Sequence, residues 1–185
     1  MSPTLNARGR RTVAAVEAAA LTATDELPFD QISVREISTR AGVSERVFFN
    51  HFATREDAFL GNEQPTVDES WARELMTDVT IPLFTGAAKL VALPAVAPEV
   101  QRRRMELLRT QPALLARAHE LLAPLREQCR EIVSAALRFR HPQLPTQHVD
   151  RLARLIVAAA AELLDVDAID DGFAESLRTI RDELA

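Results

Sequence analysis

The segment from Ser33 to Arg55 restricts the fold of this chain more than any other part of it. Val34, Ile37 and Ala41 recur at helical spacing and give a first helix one apolar face, with Ser33 placed to cap it. Gly42 supplies the positive φ of a sharp helix exit, and Val43 fills the corner behind it. Ser44 then caps a second helix. Its Phe48 and Phe52 share the buried side, which turns Glu45, Arg46, Phe49 and Asn50 outward. Helix, glycine turn and a helix with an exposed polar edge make the helix-turn-helix arrangement, which lays its second helix in the major groove of double-stranded DNA.

The rest of the chain is compatible only with helices. Ala, Leu, Arg and Glu dominate its 185 residues, aromatics are 5%, and no alternation of Val, Ile and Thr persists. With 47% apolar content there is enough material for a sizeable core. The expectation is an all-α fold of about nine helices. An N-terminal three-helix domain over 1–53 would carry the helix-turn-helix, and a larger C-terminal helical bundle would occupy 54–185.

The single Cys129 excludes an internal disulfide, which fits a reduced, cytoplasmic compartment. Met1 to Arg11 is polar and basic, without the apolar stretch of a signal peptide. Leu155 to Ala161 is the longest apolar run and too short for a membrane span, so no membrane partner is expected. His51, His119, His141 and His148 show no metal-ligand spacing among themselves or with Cys129. No paired carboxylates, nucleophile elbow or glycine-rich phosphate loop appears, so neither an enzyme nor a cofactor is expected.

A net charge of −5, taken alone, argues against a DNA partner. Residues 1 to 60 hold seven arginines against eight acids, a net of −1. Clustering matters more than the sum, and Arg8, Arg10 and Arg11 precede every acid of the chain. This arm predicts salt-sensitive affinity for the phosphate backbone.

Periodicity predicts a first helix over Arg10 to Thr24, ended by Leu27-Pro28-Phe29. A linking helix starts at the N-cap Thr54, with Asp57 as its capping-box acid, and ends before a loop from Gly61 to Asp68. Another helix begins at Trp71 to Met76, followed by a Pro- and Gly-broken region to Pro98. Glu99 to Thr110 is helical, with Arg102, Arg103 and Arg104 expected as a solvated face. Pro112 opens a long helix to about Arg140, and a further helix runs from Thr146 to about Leu164. An acidic turn over 165–172 and a closing helix over 173–184 complete the pattern.

Arg35, Arg46 and Asn50 are candidate base readers, since Arg bonds guanine and Asn bonds adenine bidentately. Their alternative is an ordinary solvated helix surface. Glu45 fits either acceptance from a cytosine amine or a first-turn acid favouring the helix dipole. Arg10, Arg11, Ser33 and Ser44 are candidate phosphate contacts, the serines because they stand where helix N–H groups point outward. Trp71, Met76, Phe84, Met105 and Leu108 are candidates for lining a ligand cavity, with plain core as the alternative. Leu125, Ile132, Leu152, Ile156 and Ala160 lie on two long helices with more apolar length than one layer needs. An isologous four-helix contact between two copies would bury them, and a homodimer would also give the recognition helix a palindromic site.

The run Val34-Arg-Glu-Ile37, Ala41-Gly-Val-Ser44, Val47-Phe-Phe49 and His51-Phe52, followed by Arg55-Glu-Asp-Ala58, resembles the DNA-binding segment of the TetR family of transcriptional regulators. Val47 stands where that family usually has a hydroxyl residue, and Arg55 where it has lysine. The resemblance implies phosphate-contacting roles for His51 and Arg55. It also implies a repressor whose larger domain takes a small molecule, here a small apolar effector, that shifts the helix following Thr54. A DNA-binding dimer without any effector is the alternative.

Overall fold

The computed structural model describes residues 6–163. The acidic turn and closing helix expected beyond Leu164 lie outside the described residues, as does the start of the arm, residues 1–5. Among the described residues there are nine α-helices and one pair of two-residue strands. No helix among them is long and apolar enough to cross a membrane.

Helix α1 (Ala7–Ala23) begins three residues earlier than periodicity suggests, because Asn6 caps it: its Oδ1 accepts the Gly9 N–H at 2.8 Å. A 3-10 turn at Phe29–Gln31 leads into α2 (Val34–Arg40), where Ser33 Oγ accepts the Glu36 N–H at 3.1 Å. Gly42 takes φ +67° at the exit, as a left-handed corner requires. Helix α3 (Glu45–Phe49) is capped by Ser44 Oγ, 3.3 Å from the Val47 nitrogen. Helix α4 (Arg55–Leu60) opens on a reciprocal capping box between Thr54 and Asp57 and stops at Gly61, whose φ is +93°.

Then follow β1 (Thr66–Val67), α5 (Glu69–Thr77), α6 (Leu83–Ala88) and β2 (Val91–Ala92). The two strands pair antiparallel, Thr66 opposite Ala92, and are too short to leave an alternating pattern in the sequence. Helices α7 (Pro98–Thr110), α8 (Pro112–Arg140, with Pro124 inside it) and α9 (Thr146–Leu163) complete the described chain.

Two compact units result. The first comprises the described chain up to Gln64 together with Leu93–Ala123; the second comprises Pro65–Ala92 and the described chain from Pro124. This division differs from a boundary at 53/54. Leu107 and Leu108 of α7 and Leu114 of α8 pack on the core formed by Val16, Ala20, Ile37, Phe48, Phe52 and Phe59, so these helices join the first unit.

Arginines reinforce that packing, and the expectation of a solvated Arg102–Arg104 face fails for two of the three. Arg102 is exposed and pairs with Glu99 on its own helix. Arg103 pairs with Asp25 and donates to Thr24 Oγ1 at 3.1 Å. Arg104 is only 7% exposed; its Nε donates to the Phe59 carbonyl at 3.0 Å and its Nη2 lies 2.8 Å from Glu17. Arg117 holds both carboxylate oxygens of Asp57, at 2.7 and 3.2 Å.

Asp57 shows which influence wins. Burial alone would raise its pKa, but hydrogen bonds from Arg117 and Thr54 outweigh burial and hold the carboxyl below its ordinary value. A depressed folded-state pKa stabilises the fold above the unfolded-state value, and that stability is lost as pH falls through the folded value. Asp57→Asn is therefore expected to destabilise the protein at neutral pH and to flatten the acid limb of a stability–pH profile. An acid limb of unchanged steepness, read by urea unfolding, would contradict this.

In the second unit α6 packs on α9. Leu75, Ala87, Leu90, Cys129, Val133, Val149 and Ala153 form its core. Trp71 Nε1 donates to the Gly86 carbonyl at 2.8 Å. Arg140 closes the end of α5 by donating to the carbonyls of Leu75, Asp78 and Ile81 at 2.6–2.8 Å. Ala160, expected on an outward face, is 4% exposed inside this core. The buried row of α9 is Val149, Ala153 and Ala160, and Leu125, Ile132 and Ile156 pack against the same core half-buried. Of the five expected interface residues only Leu152, at 39%, counts as exposed, and beside it Leu155 is 66% exposed.

The five expected cavity residues also part company. Trp71 and Phe84 pack on the second core, whereas Leu108 packs on the first. Met76 belongs to the second unit and Met105 to the first, each half-buried. The window from 71 to 108 straddles the place where the chain passes from one unit to the other, so its large apolar residues do not share one core.

Candidate nucleic-acid interface

Phe48 and Phe52, 0% and 2% exposed with rings 5.4 Å apart, pin α3 to the first core. That phase leaves Glu45, Arg46 and Asn50 exposed, with Phe49 among them at 53%. Arg35 is exposed on α2. Ser33 and Ser44 accept backbone N–H groups through their hydroxyl oxygens, which leaves each hydroxyl proton available to a phosphate oxygen.

A cleft of about 670 Å³ lies between the start of α1 and the turn into α3. It brings Arg8 and Thr12 of α1 beside Gly42, Ser44, Asn50 and His51. Three predicted residues, Ser44, Asn50 and His51, thus share one concavity. Arg10 and Arg11 stand exposed on α1 without lining it. Arg8 and Thr12 join the site only through the early start of α1, for which Asn6 was the available signal.

Arg55 is the correction. It was expected at the phosphate backbone, but its Nη1 donates to the Phe29 and Ile32 carbonyls at 3.0 and 2.9 Å. Nε and Nη2 hold Glu56, and the guanidinium lies over the Phe29 ring at 4.5 Å. A planar fork engaged through all three of its nitrogens is a strut between the 3-10 turn and α4.

The charge balance of this unit also resolves. Six of the eight acids before residue 60 are ion-paired: Glu17, Asp25, Glu26, Glu36, Glu56 and Asp57. Three of their partners, Arg103, Arg104 and Arg117, come from α7 and α8, outside the segment whose sum is negative. Arg8, Arg10, Arg11, Arg35 and Arg46 all stand exposed on α1, α2 and α3. Ion-paired acids and these exposed arginines give α1, α2 and α3 a cationic edge despite the net of −1 over residues 1–60.

No curated protein matches the chain. A solved transcriptional regulator from Rhodococcus sp. Rha1 is similar at 21% identity over 83% of this chain and 82% of that one, with a TM-score of 0.36. Residues 17–60, from the middle of α1 to the end of α4, match the family model of bacterial regulatory proteins, tetR family. With that match laid over the helices that present the exposed edge of α3, residues 17–60 carry the DNA-binding segment of the tetR family of bacterial regulatory proteins.

Proposed function

We propose that this regulator is a dimeric repressor of a palindromic operator, released by a small apolar effector. The observation that carries the reading is the exposed polar edge of α3 next to the exposed arginines of α1 and α2. Arg35, Arg46 and Asn50 read base edges in the major groove, with Glu45 turned to a cytosine amine. Arg10, Arg11, Ser33, Ser44 and His51 hold phosphates, and Arg8 joins them from the cleft. Two copies associate through the outward row of α9, Leu152 and Leu155, with Phe139 of α8, which is 63% exposed. A single α3 covers too few base pairs, and the second copy supplies the other half-site.

Effector response is supported by α7. It carries Met105 and Leu108, and through Arg103 and Arg104 it grips α1 and the end of α4. A molecule that moves α7 must therefore move or release the helices that position α3. A coupling of about 1–3 kcal/mol changes operator affinity roughly five- to 150-fold, and the operator weakens the effector by the same factor.

The test begins with a duplex selected from random sequence by the full chain, followed by titration of variants and of effectors found by thermal shift. Arg46→Ala and Asn50→Ala are each expected to cost about 1–3 kcal/mol on the selected duplex, with little change on random DNA. Equal losses on both duplexes would sink the base-reading assignment. Hits that bind tightly yet leave operator affinity untouched would sink the effector.

A further inference from the structure

The geometry points to Phe49 as a reader of thymine, through contact between its ring and the C5-methyl group in the major groove. This rests on α3 being the DNA-reading helix and names the base it selects. Phe49 is 53% exposed in the middle of the polar edge, one helical turn from Glu45 and Arg46 and next to Asn50. Its neighbours Phe48 and Phe52 fill the space beneath, so the ring has no place in the core. Phe48 meets it edge-on, with centroids 5.4 Å apart and planes at 81°, which fixes the ring and leaves its other side to solvent.

A phenyl ring neither donates nor accepts a hydrogen bond. Placed against the N7 and O6 of guanine, the amines of adenine or cytosine, or a phosphate, it would strip water from a polar group and return nothing. The thymine methyl is the one apolar feature that a base pair presents in the major groove. Contact there removes both the methyl and the exposed ring from water. Arg46 and Asn50 on either side then read neighbouring base edges by hydrogen bonds, so one short helix combines polar and apolar selection.

The experiment uses the full chain and a duplex that it selects from random sequence. Each thymine of the duplex is replaced singly by deoxyuridine, which deletes only the methyl. At one or two thymines the wild-type protein should lose roughly fourfold in affinity, the effect of about one buried methyl group. Phe49→Ala should weaken binding to the thymine duplex and show no further loss with deoxyuridine there. Phe49→Leu should keep most of the methyl dependence, and circular dichroism checks that both variants fold. The proposal is overturned if the selected duplex holds no thymine in its half-site. Equal deoxyuridine losses in wild type and Phe49→Ala would overturn it as well. Failure to select any duplex would count instead against the DNA-reading assignment of α3 itself.

Discussion

Arg104→Leu should cost about 3–5 kcal/mol of folding stability, because it leaves the Glu17 carboxylate shielded from water without its cation. The ion pair is well enclosed, with the Arg104 side chain 8% and the Glu17 side chain 21% exposed. Glu17 also accepts the Asn62 N–H at 2.8 Å, so the same carboxylate anchors the chain just beyond Gly61. Gly61 is part of the device. At φ +93° it holds a backbone conformation that side chains resist, and a Cβ there would stand 2.5 Å from Arg104 Nη2. Gly61→Ala should therefore cost about 1–3 kcal/mol in backbone strain, plus whatever the displaced guanidinium loses. In a double-mutant cycle the steric part should vanish once Arg104 is Leu, while the backbone part persists. Urea unfolding of the four proteins decides it. A loss under about 1 kcal/mol for Arg104→Leu would mean that the pair is merely a surface contact.

Leu155→Arg should turn the protein monomeric without unfolding it. At 66% exposure Leu155 has room for a charge in the isolated chain, but in a paired α9 face the charge would be buried and unpartnered. Such a penalty of about 3–5 kcal/mol shifts the association constant by roughly two to three and a half powers of ten. Operator affinity should fall with it, while binding to random DNA changes little. Ala160→Arg is the contrasting variant. At 4% exposure inside the second core, its arginine is expected to unfold that unit rather than separate two copies. Sedimentation and thermal melting together distinguish the outcomes. A Leu155→Arg protein of unchanged mass would refute the α9 interface, as would a wild-type chain that is monomeric at micromolar concentration.

What the sequence reveals of this fold is what its residues settle locally. Ser33, Ser44 and the Thr54–Asp57 box are caps whose partners lie three residues away, and each forms as its residue type requires. The long α8 and α9 follow from an apolar spacing sustained over many turns. Arg55, Arg104 and Arg117 could not be assigned this way. Each has a partner between 23 and 87 residues distant, and an arginine facing a remote carbonyl or carboxylate looks in sequence like one facing water. The same limit hid Ala160. Apolar spacing locates the stripe of α9, but it cannot tell the half covered by α6 from the half left open.

One dimension of α3 has a consequence for regulation. Five residues rise about 7.5 Å along a helix axis, little more than two base-pair steps of about 3.4 Å. So few steps hold little information, and a short word of that kind recurs throughout any genome. Against roughly 10⁶ or more competing sites, the dimer proposed above would place the rarity of a true operator in the distance between two such words and in the bending habits of the DNA between them. On that reading, an insertion or deletion that changes the spacing between the two words would abolish a control region even with every contacted base intact.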